Sequence, residues 1–420
     1  MTDLKSPEIS LSLYRKKSMA RSLVSDITGR DMKGGSWIRK MFTEGARLKQ
    51  EHGPKNVFDF TLGNPNFEPP DCVQRRLVQL SADPKPGMHG YMSNAGFEST
   101  RRAVAGYLNF HQAPVFRLNE NNVVMTSGAG GALNVIFESI LNEGDEVIVP
   151  APYFVEYGFY VSRHRGKLVA VDSREDFQPD VEKIGAAING RTKAVLINSP
   201  NNPTGVVYSQ KTLEALQKVI EQKEQELGQD ILLVSDEPYS RLVYDGVVVP
   251  PVMRIFPHSV LASSFSKDLS LAGERIGYLA INPFNPDSQG LFEAAVFNNR
   301  ILGFINANAL MQRVVEETLG SPAAGLQQYL ERRDLLYGAL TGMGYQMIKP
   351  QGTFYLFPHS PIPDDVAFCQ AAQEKLVLLV PGSGFGRGGH FRISYSGIEP
   401  GQIQRSLPAF KALAQQFGLV

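Results

Sequence analysis

Between Asn122 and Asn282 the chain repeats one pattern: a short run of β-branched and other apolar residues, then a helical segment or a long loop. The runs read NVVMTSG, DEVIVPAPYF, GKLVAVD, TKAVLINSP, DILLVSDEPY, SVLASSFS and RIGYLAIN. Strands buried on both faces read as continuous apolar runs, so these predict a mostly parallel seven-stranded sheet wrapped by helices. One intervening helix is plain in TLEALQKVIEQKEQELG, closed by Gly228. RIGYLAIN follows SVLASSFS too closely for a crossover helix and is expected to run antiparallel.

With 420 residues the chain exceeds one ordinary core, and a large domain with a smaller one is expected. Residues 1–30 are polar and mixed and read as an N-terminal arm. SWIRKMFTEGARLKQEHG places Trp37, Ile38, Met41, Phe42, Ala46 and Leu48 at helical spacing. After residue 305 come the helical stretches NANALMQRVVEETLG and LQQYLERRDLLYGALTGMG, then short strands at GTFYLFP and HFRISYS. The expected division is a large α/β domain over 63–305 and a smaller α+β domain built from the N-terminal segment 31–62 and the C-terminal segment 306–420.

Lys+Arg and Asp+Glu cancel at 42 each, which argues against nucleic acid or an anionic membrane as the main partner. No uncharged apolar run approaches the roughly 18 residues that span a bilayer, and the N-terminal LKSPEISLSLYRKKSMARSL lacks the apolar core of a leader. Cys72 and Cys369 lie far apart and read as plain thiols of a reducing compartment, so a cytoplasmic protein is expected. The 7 histidines show no HxxxH spacing, and no metal site is expected.

In open α/β sheets ligands sit beyond the carboxyl ends of the strands. Those ends carry Gly128, Ala129 and Gly130; Tyr153 and Phe154; Asn198 to Gly205; Asp236, Glu237 and Tyr239; and Ser264, Ser266 and Lys267. TSGAGGALN invites a dinucleotide reading, but the third glycine of GxGxxG would fall at Leu133. What survives is a glycine-lined turn that exposes N–H groups at a positive helix end, suited to a phosphate. GSGFGRGG near Gly382 has no strand–glycine–helix context and reads as a loop shaping a pocket wall.

A lysine is ordinarily a solvated surface charge. In SSFSKDLSLAGERIGY, Lys267 stands among small and apolar neighbours, where its pKa falls and its amine becomes a Schiff-base nucleophile. The planar fork of Arg275 suits a phosphate dianion, and the Ser264 and Ser266 hydroxyls add donors. An amine beside a phosphate cradle points to pyridoxal 5'-phosphate.

The motifs TLGNPNF, GYMSNAGFESTR, NSPNNPTG, SDEPYSRLVYDG, SFSKDLSLAGERIGY, GTFYLFP and FRISYS follow one another in this order. In this the chain resembles the fold-type I pyridoxal-phosphate-dependent aminotransferases of classes I and II, beyond its first 30 residues. The resemblance implies that 63–305 is the cofactor-binding domain and that Lys267 forms the internal aldimine and shuttles a proton. It also implies that Asp236 keeps the pyridinium nitrogen protonated, that Tyr239 and Asn202 hold the ring's 3-oxygen, and that Phe154 stacks on the ring. Gly128, Ala129, Gly130, Ser264, Ser266 and Arg275 would hold the phosphate, and Tyr91 would reach the phosphate of a partner subunit in a homodimer. Arg392 would grip the substrate α-carboxylate, with Gly63 and Asn202 helping. Each has a plainer reading: Asp236 as a strand-end cap, Tyr239 as core, Arg392 in a structural ion pair.

Two features depart from the family pattern: Ala129 and Gly130 stand where many relatives carry a hydroxyl or a long polar side chain, and Phe154 where tryptophan or tyrosine is common. The activity implied is transfer of an amino group between an L-amino acid and a 2-oxo acid. A lyase or synthase acting by β- or γ-elimination or replacement is the alternative on the same scaffold, and a non-catalytic cofactor-binding regulatory module a more remote one. Arg387 and Arg241 are candidates for a second cation that would hold an acidic side chain, and Phe67, Phe354, Tyr355 and Tyr395 for aromatic walls or core.

Overall fold

The computed structural model describes residues 22–33, 37–112, 115 and 117–420. The chain divides into two compact units at Gly35/Ser36. In the first, the described part is a helix over Asp26–Lys33; the rest of the expected arm, residues 1–21, lies outside the described residues.

Among its described residues the second unit contains twelve strands: β1 Phe58–Asp59, β2 Val123–Thr126, β3 Glu146–Ala151, β4 Lys167–Asp172, β5 Thr192–Asn198, β6 Leu232–Asp236, β7 Ser259–Ser264, β8 Gly277–Ile281, β9 Tyr355–Leu356, β10 Val377–Leu378, β11 Val380–Pro381 and β12 Phe391–Ser394. Seven form one sheet in the order β2-β8-β7-β6-β5-β3-β4. Its pairs are parallel except that β8 runs against both β7 and β2, as the short connection before it requires.

Both faces of this sheet are buried except along the edge strand β4, which is partly exposed. Along β5, Ala194 and Leu196 pack with the helix Gly128–Ile140, while Val195 and Ile197 pack on the other side with Leu213, Leu216 and Ile220 of the helix Gln210–Leu227. Successive side chains of a strand point to opposite faces, so a strand covered on both sides must be apolar at every position. The second helix is set by its ends: the Ser209 hydroxyl accepts from the Thr212 N–H at 3.1 Å, and Gly228 stops it at φ +66°.

The segment before the large sheet and the chain after it meet in small sheets. β1 pairs parallel with β10, and β11-β12-β9 form an antiparallel sheet. Ser394 N–H donates to the Phe60 carbonyl, so the stretch after β1 runs beside β12. A core of Phe60, Tyr329, Leu336, Phe368, Phe391 and Phe410 lies among these pieces and the helices Leu326–Gly342 and Pro400–Gln416. The expected strands at GTFYLFP and HFRISYS and the helix at SWIRKMFTEGARLKQEHG, seen over Trp37–His52, are all present.

Candidate active site

A cavity of about 300 Å³ opens where the carboxyl ends of β5, β6 and β7 meet the turn before the helix Gly128–Ile140 and the end of β12. Ala129, Gly130, Phe154, Asn202, Asp236, Tyr239, Ser264, Ser266, Lys267, Arg275, Arg392 and Gly63 all line it. Residues more than 300 positions apart thus share one wall.

Lys267 lies three residues beyond the end of β7. Its Nζ donates to the Gly63 carbonyl at 2.8 Å and lies 5.6 Å from the centroid of the Phe354 ring. Burial, then the positive charges of Arg392 and Arg275, bring its pKa down to about 8. Gly63 is a glycine because of its neighbour: a Cβ there would sit 1.8 Å from the Tyr355 hydroxyl oxygen. That hydroxyl is 3.0 Å from the Tyr239 hydroxyl, and burial raises both phenols' pKa values, so each remains a neutral hydrogen-bonding group.

Asp236 ends β6. Its Oδ2 accepts from the Tyr157 hydroxyl at 2.5 Å, whereas its Oδ1 is buried without a partner. Burial pushes the carboxyl up to about 7, and the Tyr157 bond partly offsets this. A buried carboxylate oxygen with no donor is costly, and a cationic N–H in the cavity would remove that cost.

On the opposite side Gly128 begins the helix at φ +70°, and a Cβ there would meet Arg275 Nη2 at 2.8 Å. The guanidinium therefore lies against the turn, with Nη1 donating to the Ala272 carbonyl at 3.0 Å. Helix N–H groups, a guanidinium and the nearby Ser264 and Ser266 hydroxyls make an anion holder. At the far end Arg392, 1% exposed, donates through Nη1 to Asn202 Oδ1 at 3.0 Å and through Nη2 to the Thr61 carbonyl at 2.5 Å. The Tyr355 and Phe385 rings lie 4.6 and 4.7 Å from its guanidinium carbon, and its Nε is buried without a partner.

A family model described as "Aminotransferase class I and II" matches residues 55–410. The chain belongs to that family. A similar relative is the "Aspartate/prephenate aminotransferase" of Thermus thermophilus, 33% identical over 357 residues, which are 83% of this chain and 89% of the relative. Among solved structures, an amino transferase of Eubacterium rectale superposes with a TM-score of 0.90 at 37% identity, covering 94% of this chain and 100% of that one. The aspartate aminotransferase of Thermotoga maritima gives 0.83 at 28%, covering 93% and 100%. The protein is an enzyme, an aminotransferase of fold type I, and neither the lyase nor the regulatory-module alternative finds support among these relatives.

Not every residue singled out in the sequence stands in the aminotransferase cavity. Tyr91 does not line it and is 93% exposed. Arg241 is turned to Asp268 at 2.9 Å, and Arg387 to Glu175 at 3.0 Å and Asp172 at 3.6 Å; neither lines the cavity. Of the proposed aromatic walls Tyr355 lines it, while Phe354 and Tyr395 are core and Phe67 packs on Tyr329. GSGFGRGG forms a short 3-10 turn over Gly382–Phe385 that brings Phe385 to Arg392.

Sequence reasoning missed Tyr157 and Tyr160, which line the cavity from the helix Glu156–Arg163. Two tyrosines three apart in the helix after a strand end were the available signal. It also missed a grouping of Glu224, Asp230 and His258, whose ligand-type atoms lie within 4.8 Å of one another outside the cavity lining.

Proposed function

We propose that this aminotransferase works with pyridoxal 5'-phosphate and moves an amino group between an L-amino acid and a 2-oxo acid. The observation that carries the reading is the convergence of Lys267, Asp236, Arg275 and Arg392 on one cavity. The residues fit the cofactor. The partnerless Asp236 Oδ1 suits a protonated ring nitrogen, the turn at Gly128, Ala129 and Gly130 with Arg275, Ser264 and Ser266 suits a phosphate, and Lys267 has an amine of lowered pKa for an aldehyde. When bound, the cofactor supplies an aldehyde carbon for the amine and a ring that takes up the electron pair left on the substrate α-carbon.

The chain's own residues then do the rest. Lys267 Nζ takes the proton from the α-carbon and returns one, which a group titrating near neutrality does well. Asp236, held by Tyr157, would keep the ring nitrogen protonated; Tyr239 and Asn202 would hold the ring's 3-oxygen, and Phe154 would pack on the ring. Arg392 takes the α-carboxylate, with Asn202 and Gly63 beside it. In the same reading the protein is a cytoplasmic homodimer in which the exposed Tyr91 reaches the partner's phosphate. The large domain spans 63–305, and the pairing of β1 with β10 supports a small domain drawn from 31–62 and 306–420. The relatives' names carry aspartate, which makes it the first donor to try.

Purified protein loaded with the cofactor is expected to be yellow, to change colour on addition of an amino donor, and to yield the donor's 2-oxo acid together with an aminated acceptor. Lys267→Ala is expected to lose nearly all turnover while still retaining cofactor through the phosphate holder. Normal transamination by that variant, or release of ammonia from the wild type without an acceptor, would sink the reading.

A further inference from the structure

In the turn that begins the helix Gly128–Ile140, Gly128, Ala129 and Gly130 carry no hydroxyl, and Ser127 before them does not line the cavity. A hydroxyl nevertheless stands there. The neighbouring helix Glu156–Arg163 projects Tyr160 into the cavity, and a Cβ built on Gly130 would lie 3.2 Å from the Tyr160 hydroxyl oxygen. No other atom crowds that position so closely; the next is the Tyr160 ring carbon that bears the hydroxyl, at 3.9 Å. Gly130 and Tyr160 are therefore a matched pair, in which the phenol fills the space that a side chain from the turn would take.

Three further observations say what that hydroxyl is for. Among the described residues it has no hydrogen-bond partner, unlike the Tyr157 hydroxyl one turn earlier, which donates to Asp236. Arg275, which lies against Gly128, is close enough for its charge to act on the phenol. Burial and the carboxylates of Glu156 and Asp236 nonetheless push the phenol up to about 12, so it stays protonated and can donate.

We propose that Tyr160 is a phosphate-binding residue, donating its hydroxyl to the cofactor phosphate in the place left open by Gly130. The proposal rests on the pyridoxal-phosphate reading above. A hydrogen bond from a neutral donor to a charged group contributes to affinity by a factor on the order of 10 to 100. That factor applies only to a ligand that carries the phosphate.

The test is equilibrium titration of the apoprotein with pyridoxal phosphate and, separately, with pyridoxal, which lacks the phosphate, each followed by absorbance and without turnover. Tyr160→Phe, which removes one oxygen and keeps the ring, is expected to weaken pyridoxal phosphate about 10- to 100-fold and to leave pyridoxal within about 2-fold. Adding Gly130→Ser to Tyr160→Phe returns a hydroxyl to the vacated space and is expected to recover part of the loss. In the wild-type background Gly130→Ser crowds the phenol and is expected to weaken binding. Equal losses for both ligands would make Tyr160 a packing residue, and an unchanged pyridoxal phosphate affinity would remove it from the site; either result overturns the proposal. Failure of the wild type to bind either ligand would instead overturn the cofactor reading itself.

Discussion

Three arginines are among the largest fully buried side chains of this protein, and they are not alike. Arg332 and Arg333, on the helix Leu326–Gly342, bring their counter-charges with them. Arg332 donates to Glu399 at 2.9 Å, and Arg333 to Asp245 at 2.8 and 3.0 Å and to Asp334 at 2.9 Å. Arg392, on β12, pairs with no carboxylate among the described residues; its two bonds go to an amide oxygen and a backbone carbonyl, and burial lowers its pKa. A buried charge left without its counter-ion costs several kcal/mol. The chain meets that requirement internally at Arg332 and Arg333 and leaves it open at Arg392, the residue proposed above to take the substrate α-carboxylate.

The sharpest way to break this contrast is to remove each charge and ask which quantity falls. Arg392→Leu is expected to lower kcat/KM for amino acids by about 10³-fold or more. Its melting temperature should hold or rise, because a partly compensated buried charge has been exchanged for an apolar side chain. A matching primary amine, which has no α-carboxylate, should react about equally with wild type and variant. If stability falls in step with activity, Arg392 is a structural arginine like the others.

Arg333→Ala should give the mirror image. Removing this buried side chain is expected to cost about 2 to 5 kcal/mol of unfolding free energy, mainly through lost packing because the Asp245 and Asp334 carboxylates left behind are half exposed, read from denaturant midpoints, with kcat/KM per folded molecule within about 2-fold. A specific loss of activity at unchanged stability would dissolve the distinction.

The smallest effect extends the contrast from the arginines to Lys267, another cation with no carboxylate partner among the described residues and a pKa near 8. Only the neutral amine attacks an aldehyde, so capture of pyridoxal phosphate by the apoprotein should speed up about tenfold per pH unit below 8 and level off above it. An ordinary lysine would keep accelerating to beyond pH 10. Stopped-flow absorbance from pH 6 to 10 distinguishes the two profiles.

Much of this was legible beforehand. The seven strands were readable because both faces of the sheet are covered, which removes polar residues from the strands and concentrates them at the ends. Asp236, Ser264 and Lys267 stand at such ends and announce themselves against an apolar background. Tyr157 and Tyr160 did not, because the three-residue spacing of the tyrosines in EYGFYVSR also suits an ordinary amphipathic helix, and nothing local says that their hydroxyls meet Asp236 and Gly130. The Thr61 carbonyl that holds Arg392 is backbone and leaves no mark in residue type. Arg241 and Arg387 show the converse: as residue types they qualified for the pocket, and local carboxylates claimed them.

The sequence by itself determined the sheet, its one antiparallel strand and the reactive groups at its carboxyl edge, since periodicity and residue chemistry are properties of short stretches. Which of those groups meet was decided only by the tertiary structure. Arg392 finds Asn202 across 190 positions and Thr61 across 331, and Lys267 finds Gly63 across 204. Such contacts form when the stretch after β1 comes to lie beside β12 and both pack against the rim of the large sheet. No local preference specifies that packing, and it is what leaves Asp236 with a free oxygen and Arg392 without a counter-ion.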